Sequence, residues 1–404
     1  MYSLRRRAAM FSGGRKAMRF AFTPQQEDFR QEVRAFLARE LPKDQPENPE
    51  AEGQWVNRAF SKKLAAKGWI GLAWPKEHGG QGLGYIERFI YNDEMIHLRA
   101  PIGYHQSAER QMGPSIMLNG SDYLKQRYLP GIVNADLAIC IGYSEPNAGS
   151  DLAGVQTTAV PDSDDFLING EKTYTTNAHV AEYVWLATRT NPNVAKHKGI
   201  SVFIVDLRSP GVEIKPLYTM AGTRFNMVRF HDVRVPRREL VGDLDGGWYI
   251  VAQNLDFERS GIERVTGALL LFEDVVRYAK QTRHNGRLLY DNPVVRNRIA
   301  DMSVAFAVGR QLAFRVAWMQ SQGKVPNHEA SISKGYGTEL TQRAARLAMD
   351  IMGMYGPLQG DGRWTPLRGR VAYTFLTTVS ETIRGGTSEI QRNIIATRGL
   401  RLPR

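Results

Sequence analysis

The sequence is poor in the features that mark secreted and membrane proteins. It contains one cysteine, Cys140, in 404 residues, which excludes an internal disulfide and is consistent with a reducing compartment. No Cys-His pattern accompanies Cys140, so we interpret it as a small apolar core residue rather than a nucleophile. No apolar run approaches the roughly 18 residues that a membrane helix needs. We therefore expect a soluble protein without a membrane span.

Acidic residues are absent from the N-terminal segment. The net charge is +12, and half of this excess precedes the first acidic residue, Glu27, in the basic residues Arg5, Arg6, Arg7, Arg15, Lys16 and Arg19. The remaining positive charge is scattered, without the interleaved basic and aromatic residues of a nucleic-acid surface, so no nucleic-acid partner is expected. We interpret residues 1–21 as a basic disordered extension of a cytoplasmic protein. An Arg-rich, acid-free segment is also typical of transit peptides, which would instead place the protein in the mitochondrial matrix.

Hydrophobic periodicity divides the rest of the chain into three domains. Residues 22–137 are predicted to be helical, beginning with an amphipathic helix whose start carries a capping box of Thr23 and Gln26. Residues 138–245 contain short runs of Val, Ile, Phe and Trp between Gly and Pro, which is typical of antiparallel strands. Helical periodicity returns over residues 246–404. The predicted order is thus α, β, α in an α+β protein.

Two neighbouring stretches of the middle domain carry the clearest pattern. Ser144 to Asp151 reads S-E-P-N-A-G-S-D, an open loop with backbone N–H groups free for a flat ligand or an anion. The second stretch, Phe166 to Asn177, is predicted to be a hairpin of two strands that turns at Asn169-Gly170. Tyr174 and Thr176 then share one face of the second strand, because side chains alternate along a strand. An aromatic ring beside a hydroxyl on one face suits a ring-shaped cofactor. From the residues alone, an all-β module with a surface hairpin fits equally well.

Together these stretches resemble the flavin-facing signature of the acyl-CoA dehydrogenase family, which implies FAD as the cofactor. The resemblance implies that Tyr174 stacks on the flavin, where many members have Trp, and that Thr176 provides a hydroxyl near flavin N5. Ser150 is implied to lie near the CoA phosphates and to contact both cofactor and substrate. Further cofactor contacts are implied for Gly142, Tyr143, Ser144, Gly386, Thr387 and Glu389.

A carboxylate interrupts the apolar face of the helix predicted after the middle domain. Glu258 falls in register between Leu255 and Ile262, so it points into that face, where burial raises a carboxyl pKa toward the range useful to a general base. A carboxylate paired with a basic residue of a neighbouring helix would show the same pattern. The adjacent Arg259 cannot be its partner on the same face.

The stretch from Glu381 to Ile395 resembles the family's second signature, Y-E-G-T-S-x-I-Q-R, whose Glu commonly removes the substrate α-proton. Gly385 occupies that position here, and a glycine cannot accept a proton. Some relatives, including isovaleryl-CoA and long-chain acyl-CoA dehydrogenases, instead keep a Glu before an Arg on the earlier helix. The resemblance therefore implies Glu258 as the catalytic base, Arg259 as a substrate contact and the Gly385 N–H as a donor to the thioester oxygen.

Positions that grip the FAD diphosphate across a subunit interface in the family are changed in this chain. Thr282 replaces the usual Arg, Asn285 the usual Phe and Asp350 the usual Gln. We therefore expect an α2β2 hetero-oligomer of this chain and a related dehydrogenase subunit. A homotetramer in which Arg283 or Arg287 supplies the missing contacts is the alternative.

The resemblance covers residues 22–404 and implies an acyl-CoA dehydrogenase-like fold with an N-terminal α-helical domain, a middle antiparallel β domain and a C-terminal four-helix bundle. The implied activity is α,β-dehydrogenation of an acyl-CoA substrate, with electrons passed to an electron-transfer flavoprotein. The pattern is closest to subunits of heteromeric steroid-CoA side-chain dehydrogenases, which favours a polycyclic or branched acyl group. The alternatives are a flavin oxidase or monooxygenase on the same fold and a non-catalytic subunit that completes a partner's FAD site. No metal site is expected.

Overall fold

The structure is a computed structural model that describes residues 21–43, 55–259 and 261–403. The basic extension predicted for residues 1–21 lies outside these ranges except for its last residue. Within them, no helix combines the length and the apolar character needed to cross a membrane, and His, Cys, Asp and Glu form no group of three suited to a metal ion. Cys140 is buried, and burial raises the pKa of its thiol, as expected of a core residue.

The N-terminal part of the described chain is helical. Its helices are α1 (Pro24–Glu40), α2 (Arg58–Ala66), α3 (Tyr85–His97), α4 (Gly113–Asn119) and α5 (Asp122–Val133). The predicted capping box begins α1: Thr23 Oγ1 accepts the N–H of Gln26 at 3.2 Å, and Gln26 Oε1 accepts the N–H of Thr23 at 3.0 Å. The buried face of α1 packs Phe36 against Trp69, with ring centroids 4.9 Å apart. The predicted start of this helix is confirmed.

A short π-helix, Ala108–Met112, runs directly into α4. Its closing bond joins the N–H of Gly113 to the carbonyl of Ala108, five residues back, whereas an α-helix uses the residue four back. Pro114 explains the wider turn, because it has no N–H to donate to the carbonyl of Arg110. Gly113 also lets Trp74 approach, since a Cβ at Gly113 would lie 2.0 Å from Cζ2 of Trp74.

The middle part is an eight-stranded sheet. Its strands are β1 (Ile139–Gly142), β2 (Thr158–Asp162), β3 (Asp165–Lys172), β4 (Tyr183–Arg189), β5 (Ile200–Asp206), β6 (Val212–Tyr218), β7 (Arg224–Pro236) and β8 (Leu240–Val241). The order is β6-β7-β3-β2-β4-β5-β8 with β1 beside β4. Most neighbours are antiparallel, but β4 pairs in parallel with β1 and, at one position, with β2. Trp185 of β4 packs with the N-terminal helices while Leu186 packs in the core on the other side of the sheet, so this strand is buried on both faces.

The hairpin turn predicted at Asn169-Gly170 is wrong. Strand β3 runs continuously through both residues, paired with β2 on one side and β7 on the other, with a bulge at this point. Asn169 stabilises the bulge, because its Oδ1 accepts the N–H of Asp232 at 2.9 Å and its Nδ2 donates to the Asp232 carboxylate at 2.8 Å. Gly170 is required because its φ is +146° and a Cβ would lie 2.6 Å from Thr157 Oγ1. The actual turn lies between β2 and β3, just before Asp165.

The C-terminal part is a helical bundle. Its elements are α6 (Gly247–Arg259), α7 (Glu263–Gln281), β9 (Arg283–His284), β10 (Arg287–Leu288), α8 (Pro293–Ser321), α9 (His328–Met352), α10 (Arg370–Glu381) and α11 (Ser388–Ile394). Helix α9 packs against α7, α8 and α10, which makes these four the predicted four-helix bundle. Helix α3 packs on α7 and α8, where Asp93 accepts hydrogen bonds from Arg310 at 2.6 and 2.8 Å and from Thr266 at 2.6 Å. The two helical parts therefore meet along α3.

Candidate active site

A cavity of about 2340 Å³ lies between the sheet, the N-terminal helices and the bundle. Most of the sequence-predicted site residues line it, namely Tyr143, Ser144, Ser150, Tyr174, Thr176, Gly385 and Gly386. Three others do not line it: Gly142 ends β1, Thr387 caps α11 by accepting the N–H of Ile390 at 3.2 Å, and Glu389 lies in the first turn of α11. The fold thus brings residues from all three predicted motifs to, or next to, one cavity.

A buried ion pair anchors the S-E-P-N-A-G-S-D loop. Lys172, at the end of β3, is fully buried, and its Nζ lies 2.7 Å from Oε1 of Glu145. The Glu145 carboxylate also accepts the N–H groups of Gln156 at 2.6 Å and Thr157 at 2.9 Å. Lys172 Nζ donates in addition to the carbonyl of Tyr143 at 3.2 Å. This network fixes the loop against the sheet.

Burial acts on both partners of this pair. It lowers the pKa of Lys172, an effect that Glu145 opposes. Burial also tends to raise the pKa of Glu145, but Lys172 and the N–H donors hold that pKa below its ordinary value. We interpret the pair as ionised at neutral pH, because each charge compensates the desolvation of the other. Neither side chain lines the cavity, so the pair positions the loop rather than touching a ligand.

Tyr174 and Thr176 line the cavity, but not from a strand. Strand β3 ends at Lys172, and Tyr174 has a φ of +55°. Thr173 and Thr175 are buried whereas Tyr174 and Thr176 are exposed, so the predicted alternation persists outside regular strand geometry. Tyr174 is 61% exposed, and Phe225 contacts its ring edge-on with the two centroids 6.2 Å apart. An exposed aromatic face in a cavity is a surface on which a flat ring can stack.

Two glycines with left-handed backbone form the loop between α10 and α11. Gly385 has a φ of +67° and Gly386 a φ of +91°. Gln391 Nε2 donates to both of their carbonyls at 3.1 Å, and Lys334 Nζ donates to the carbonyl of Gly386 at 2.7 Å. Lys334 is buried in α9 and also reaches the carbonyl of Glu381 at 3.2 Å. The bundle therefore holds this loop at the cavity wall through its carbonyl groups.

The predicted base lies at the end of α6. The described structure covers Glu258 and Arg259 as backbone in the last turn of this helix, and their side chains lie outside it. The three residues before them line the cavity, as do Glu263 and Arg264 at the start of α7. Arg264 Nε lies 3.9 Å from Oε2 of Glu381, just before the glycine loop. The end of α6, the start of α7 and the glycine loop therefore border the same cavity.

A polar cluster on the cavity wall was not predicted from the sequence. The polar cluster consists of Arg88, Glu109, Arg110, Gln111 and Glu263. Arg110 Nη1 donates to Oε1 of Glu263 at 3.4 Å, and Arg88 Nη2 lies 3.6 Å from Oε2 of Glu109. The one local signal was Pro114, which indicates an irregular helical turn at residues 108–112 because it removes a backbone donor.

The three positions at which the resemblance predicts lost FAD diphosphate contacts lie away from the cavity. Thr282 ends α7, Asn285 has a φ of +50° between β9 and β10, and Asp350 of α9 pairs with Arg298 of α8. None of the three lines the cavity. Arg283, an alternative contact in a homotetramer, donates to the backbone of its own hairpin at 2.8 Å. These positions belong to a surface separate from this chain's own cavity.

Family models match nearly the whole chain. The acyl-CoA dehydrogenase N-terminal domain matches residues 23–136, the middle domain residues 140–233 and the C-terminal domain residues 245–400. Acyl-CoA dehydrogenase FadE26 of Mycobacterium tuberculosis is 37% identical over 402 residues, which cover 96% of this chain and 99% of the relative. FadE29 of the same organism is 36% identical over 385 residues, covering 95% and 98%.

Solved structures show the same extent of similarity. A chain of the ChsE4-ChsE5 complex from Mycobacterium tuberculosis superposes with a TM-score of 0.86 at 37% identity, covering 96% of this chain and 100% of that one. A chain of the Tcur3481-Tcur3483 steroid ACAD gives a TM-score of 0.87 at 33% identity with the same coverage. The similarity therefore extends over the N-terminal helices, the sheet and the bundle.

Proposed function

Because the chain belongs to the acyl-CoA dehydrogenase family, we propose that this oxidoreductase dehydrogenates an acyl-CoA thioester between Cα and Cβ with FAD as its cofactor. The observation that carries the proposal is the convergence of three elements on one cavity. The anchored loop with Tyr174 and Thr176 forms a wall suited to a flat ring. The end of α6 and the Gly385 loop form a wall suited to the thioester.

The cavity fits FAD in size and in chemistry. Its volume of about 2340 Å³ exceeds the ~300–1,000 Å³ of sites for drug-sized ligands, as a dinucleotide and a CoA thioester together require. Thr219 Oγ1 lies on the cavity wall, buried and without a hydrogen-bond partner among the described residues, a state expected of a group that a ligand satisfies. We assign the cofactor contacts within the cavity to Tyr143, Ser144, Ser150, Tyr174, Thr176 and Gly386. For Gly142, Thr387 and Glu389, which lie next to the cavity, the assignment as cofactor contacts rests on the resemblance alone.

The proposed reaction removes one proton and one hydride from the acyl group. The Glu258 carboxylate takes the proton from Cα, and the electron pair of that C–H bond forms the new double bond as hydride leaves Cβ. The Gly385 N–H donates to the thioester oxygen and stabilises the negative charge that develops there. Arg259 and Ser150 contact the substrate. FAD, when bound, supplies the acceptor for the hydride.

The proposed active form is an α2β2 hetero-oligomer with a related dehydrogenase subunit. Thr282, Asn285 and Asp350 offer neither a cation nor an aromatic ring, and an acid beside a diphosphate is electrostatically unfavourable. Two similar structures carry the names of two-protein assemblies, ChsE4-ChsE5 and Tcur3481-Tcur3483, and the second is named as a steroid ACAD. These names support a polycyclic or branched acyl group for this chain. The caffeyl-CoA reductase-Etf complex subunit CarC of Acetobacterium woodii, 27% identical, supports an electron-transfer flavoprotein as the acceptor.

The test of the base is Glu258→Gln in the purified assembly with FAD bound. The amide has nearly the shape of the carboxylate but cannot accept the α-proton. Anaerobic bleaching of the flavin by branched and polycyclic acyl-CoA thioesters should therefore slow by about 10²–10⁴-fold, while the FAD content stays unchanged. Glu213→Gln on β6, an exposed carboxylate that does not line the cavity, is the matched control and should bleach at the parent rate. Near-normal turnover of the Glu258 variant would overturn the assignment of the base.

The same assembly separates the alternative functions. Rapid reoxidation of the reduced flavin by oxygen would indicate an oxidase or monooxygenase. A flavin content that does not respond to substitution of Tyr174 would indicate a subunit that completes a partner's site and does not hold the flavin ring itself.

A further inference from the structure

Three members of the polar cluster lie in the π-helix. Glu109, Arg110 and Gln111 are consecutive, and all three line the cavity. Such π-turns are frequent at functional sites. Trp74 holds this turn, since its Nε1 donates to the carbonyl of Glu109 at 3.1 Å.

Hydrogen-bond donors in the cluster outnumber the acceptors that reach them. Each guanidinium has five N–H donors. Among the described residues, no hydrogen-bond partner reaches Nε of Arg110 or Nε and Nη2 of Arg88, although these atoms are buried. Gln111 is 2% exposed, and its Oε1 also has no partner there. Buried polar atoms are normally satisfied by protein, ligand or ordered water, so the cluster has donors to offer to a group that enters the cavity.

The charges of the cluster cancel. Arg88 is paired with Glu109 at 3.6 Å and Arg110 with Glu263 at 3.4 Å. An added carboxylate or phosphate would leave an unbalanced negative charge beside two acidic groups, which is costly in a partly buried site. A neutral oxygen accepts from the unused N–H groups without that cost, and a hydroxyl can also donate to Gln111. The chemistry that fits is therefore a ketone or hydroxyl oxygen.

The cluster is connected to the proposed reacting end of the cavity. Glu263 pairs with Arg110, and the next residue, Arg264, lies 3.9 Å from Glu381, just before Gly385. The first turn of α7 thus joins the cluster to the loop assigned to the thioester. The cluster belongs to the helical walls, whereas Ser150, assigned to the CoA end, lies in the loop between β1 and β2. We therefore expect a group bound at the cluster to belong to the acyl moiety.

We propose that Arg88, Arg110 and Gln111 recognise an uncharged oxygen, a ketone or a hydroxyl, carried by the acyl group of the substrate. The inference rests on the proposed function and deepens it. The preferred substrates are oxygenated polycyclic or branched acyl-CoA thioesters, and purely hydrocarbon ones of the same shape are discriminated against because they leave buried donors unsatisfied.

The test compares two thioesters with one carbon skeleton, a cyclic-ketone acyl-CoA and its deoxo analogue. The intact assembly should show a kcat/KM about 5- to 100-fold higher for the ketone, the effect expected when buried donors lose their acceptor. The Glu258→Gln assembly should bind both thioesters without turnover and gives a second readout. Calorimetry should show a lower Kd for the ketone thioester than for its deoxo analogue.

Two variants address the residues of the cluster independently. Gln111→Leu removes the amide without changing charge, and Arg88→Met keeps an unbranched apolar stem while removing the guanidinium donors. Each should bring the ratio of kcat/KM for the two thioesters toward one, chiefly by lowering activity with the ketone. If one variant fails to fold, the other still gives the ratio. Gln25→Leu, an exposed site on α1, is the matched control and should retain the parent preference.

The outcomes separate this inference from the proposed function. Bleaching and binding by both thioesters without discrimination, or a preference that survives both variants, would overturn the inference alone and identify the cluster as a hydrated ion-pair network. If neither thioester binds or bleaches the flavin, the proposed function fails together with the inference.

Discussion

Lys172 Nζ lies 2.7 Å from Oε1 of Glu145, and both side chains are buried. The pair joins two segments that line the cavity, the loop after β1 and the segment that follows β3. The pair explains why the loop after β1 carries Glu145 and the end of β3 carries Lys172, although neither side chain lines the cavity. The charges hold the backbone in place, while neighbouring hydroxyl and aromatic groups such as Ser144 and Tyr174 face the ligand site.

Removing one partner of this pair should strongly destabilise the protein. Glu145→Gln or Lys172→Met leaves the other charge buried, at a cost of about 3–5 kcal/mol. The double variant removes both charges, so its loss in free energy of unfolding should be smaller than the sum of the single losses. Urea-induced unfolding measures all three. Glu213→Gln, which breaks an exposed pair with Lys215, is the control and should change little. Additive losses would show that the two side chains do not interact.

Tyr174→Ala should weaken FAD binding while leaving the stability of the apoprotein nearly unchanged. Tyr174 is 61% exposed, so the loss of its ring removes little packing within the chain. A stacked aromatic pair contributes ~0.5–1.5 kcal/mol, which corresponds to a Kd for FAD raised about two- to tenfold. Tyr174→Phe keeps the ring and should bind FAD like the parent. Titration of the apoprotein with FAD measures the Kd of each variant. Equal Kd values for the Ala and Phe variants would exclude stacking on this ring.

Asp93 should give the contact between α3 and the bundle a dependence on pH. Burial alone would raise the pKa of Asp93, but Arg310 and Thr266 hold it below its ordinary value. A carboxyl group whose pKa is lowered by folding contributes stability that is complete above its unfolded pKa of about 3.9 and is lost as pH falls through the folded pKa. The melting temperature of Asp93→Asn should therefore lie below that of the parent at neutral pH, and the gap should narrow below pH ~4. Asp28→Asn, an exposed site on α1, is the control, and a gap that stays constant with pH would contradict this role of Asp93.

The chain expressed alone should retain less than one FAD per chain. The triple variant Thr282→Arg, Asn285→Phe, Asp350→Gln introduces a cation, an aromatic ring and an amide where the diphosphate of a neighbouring subunit's FAD is expected. It should raise both the ratio of FAD to chain and the native mass toward that of a homotetramer. Asp350→Gln breaks an exposed pair with Arg298 and costs little. Asn285→Phe puts a bulky side chain at a φ of +50°, a strain of about 1–2 kcal/mol, so we expect a modest loss of stability with folding retained. Native mass spectrometry with flavin absorbance measures both quantities. A fully active homotetramer with one FAD per chain from the unmodified protein would exclude the heteromer.

The parts of the fold that could be predicted carry local signals. The start of α1 depends on Thr23 and Gln26, which are three residues apart and form the capping box themselves. Asn169-Gly170 misled the prediction because the dipeptide that favours a hairpin turn also suits a bulge. Residues distant in sequence decide between the turn and the bulge. Asp232 of β7 accepts a hydrogen bond from Asn169, and Thr157 lies so close to Gly170 that only glycine fits there.

The candidate site could be predicted only in part, because some of its residues are marked by local motifs and others are brought together only by packing. Tyr174 and Gly385 belong to motifs in the sequence, whereas the polar cluster is assembled from α3, the π-helix and α7. Its members are far apart along the chain, so packing rather than pattern brings Arg88 and Glu263 to one wall. The role of Glu258 stays a prediction from register and resemblance, which the proposed substitution tests.

The left-handed backbone of Gly385 limits which residues the loop can carry. At a φ of +67°, any residue with a side chain carries a conformational penalty of about 1–2 kcal/mol. Under the proposed assignment of the base to α6, the loop contributes backbone and no carboxylate to the reaction. A Gly385→Glu substitution would therefore place its carboxylate on a strained backbone. A working acid at this position would need a change in the loop conformation as well as in the residue.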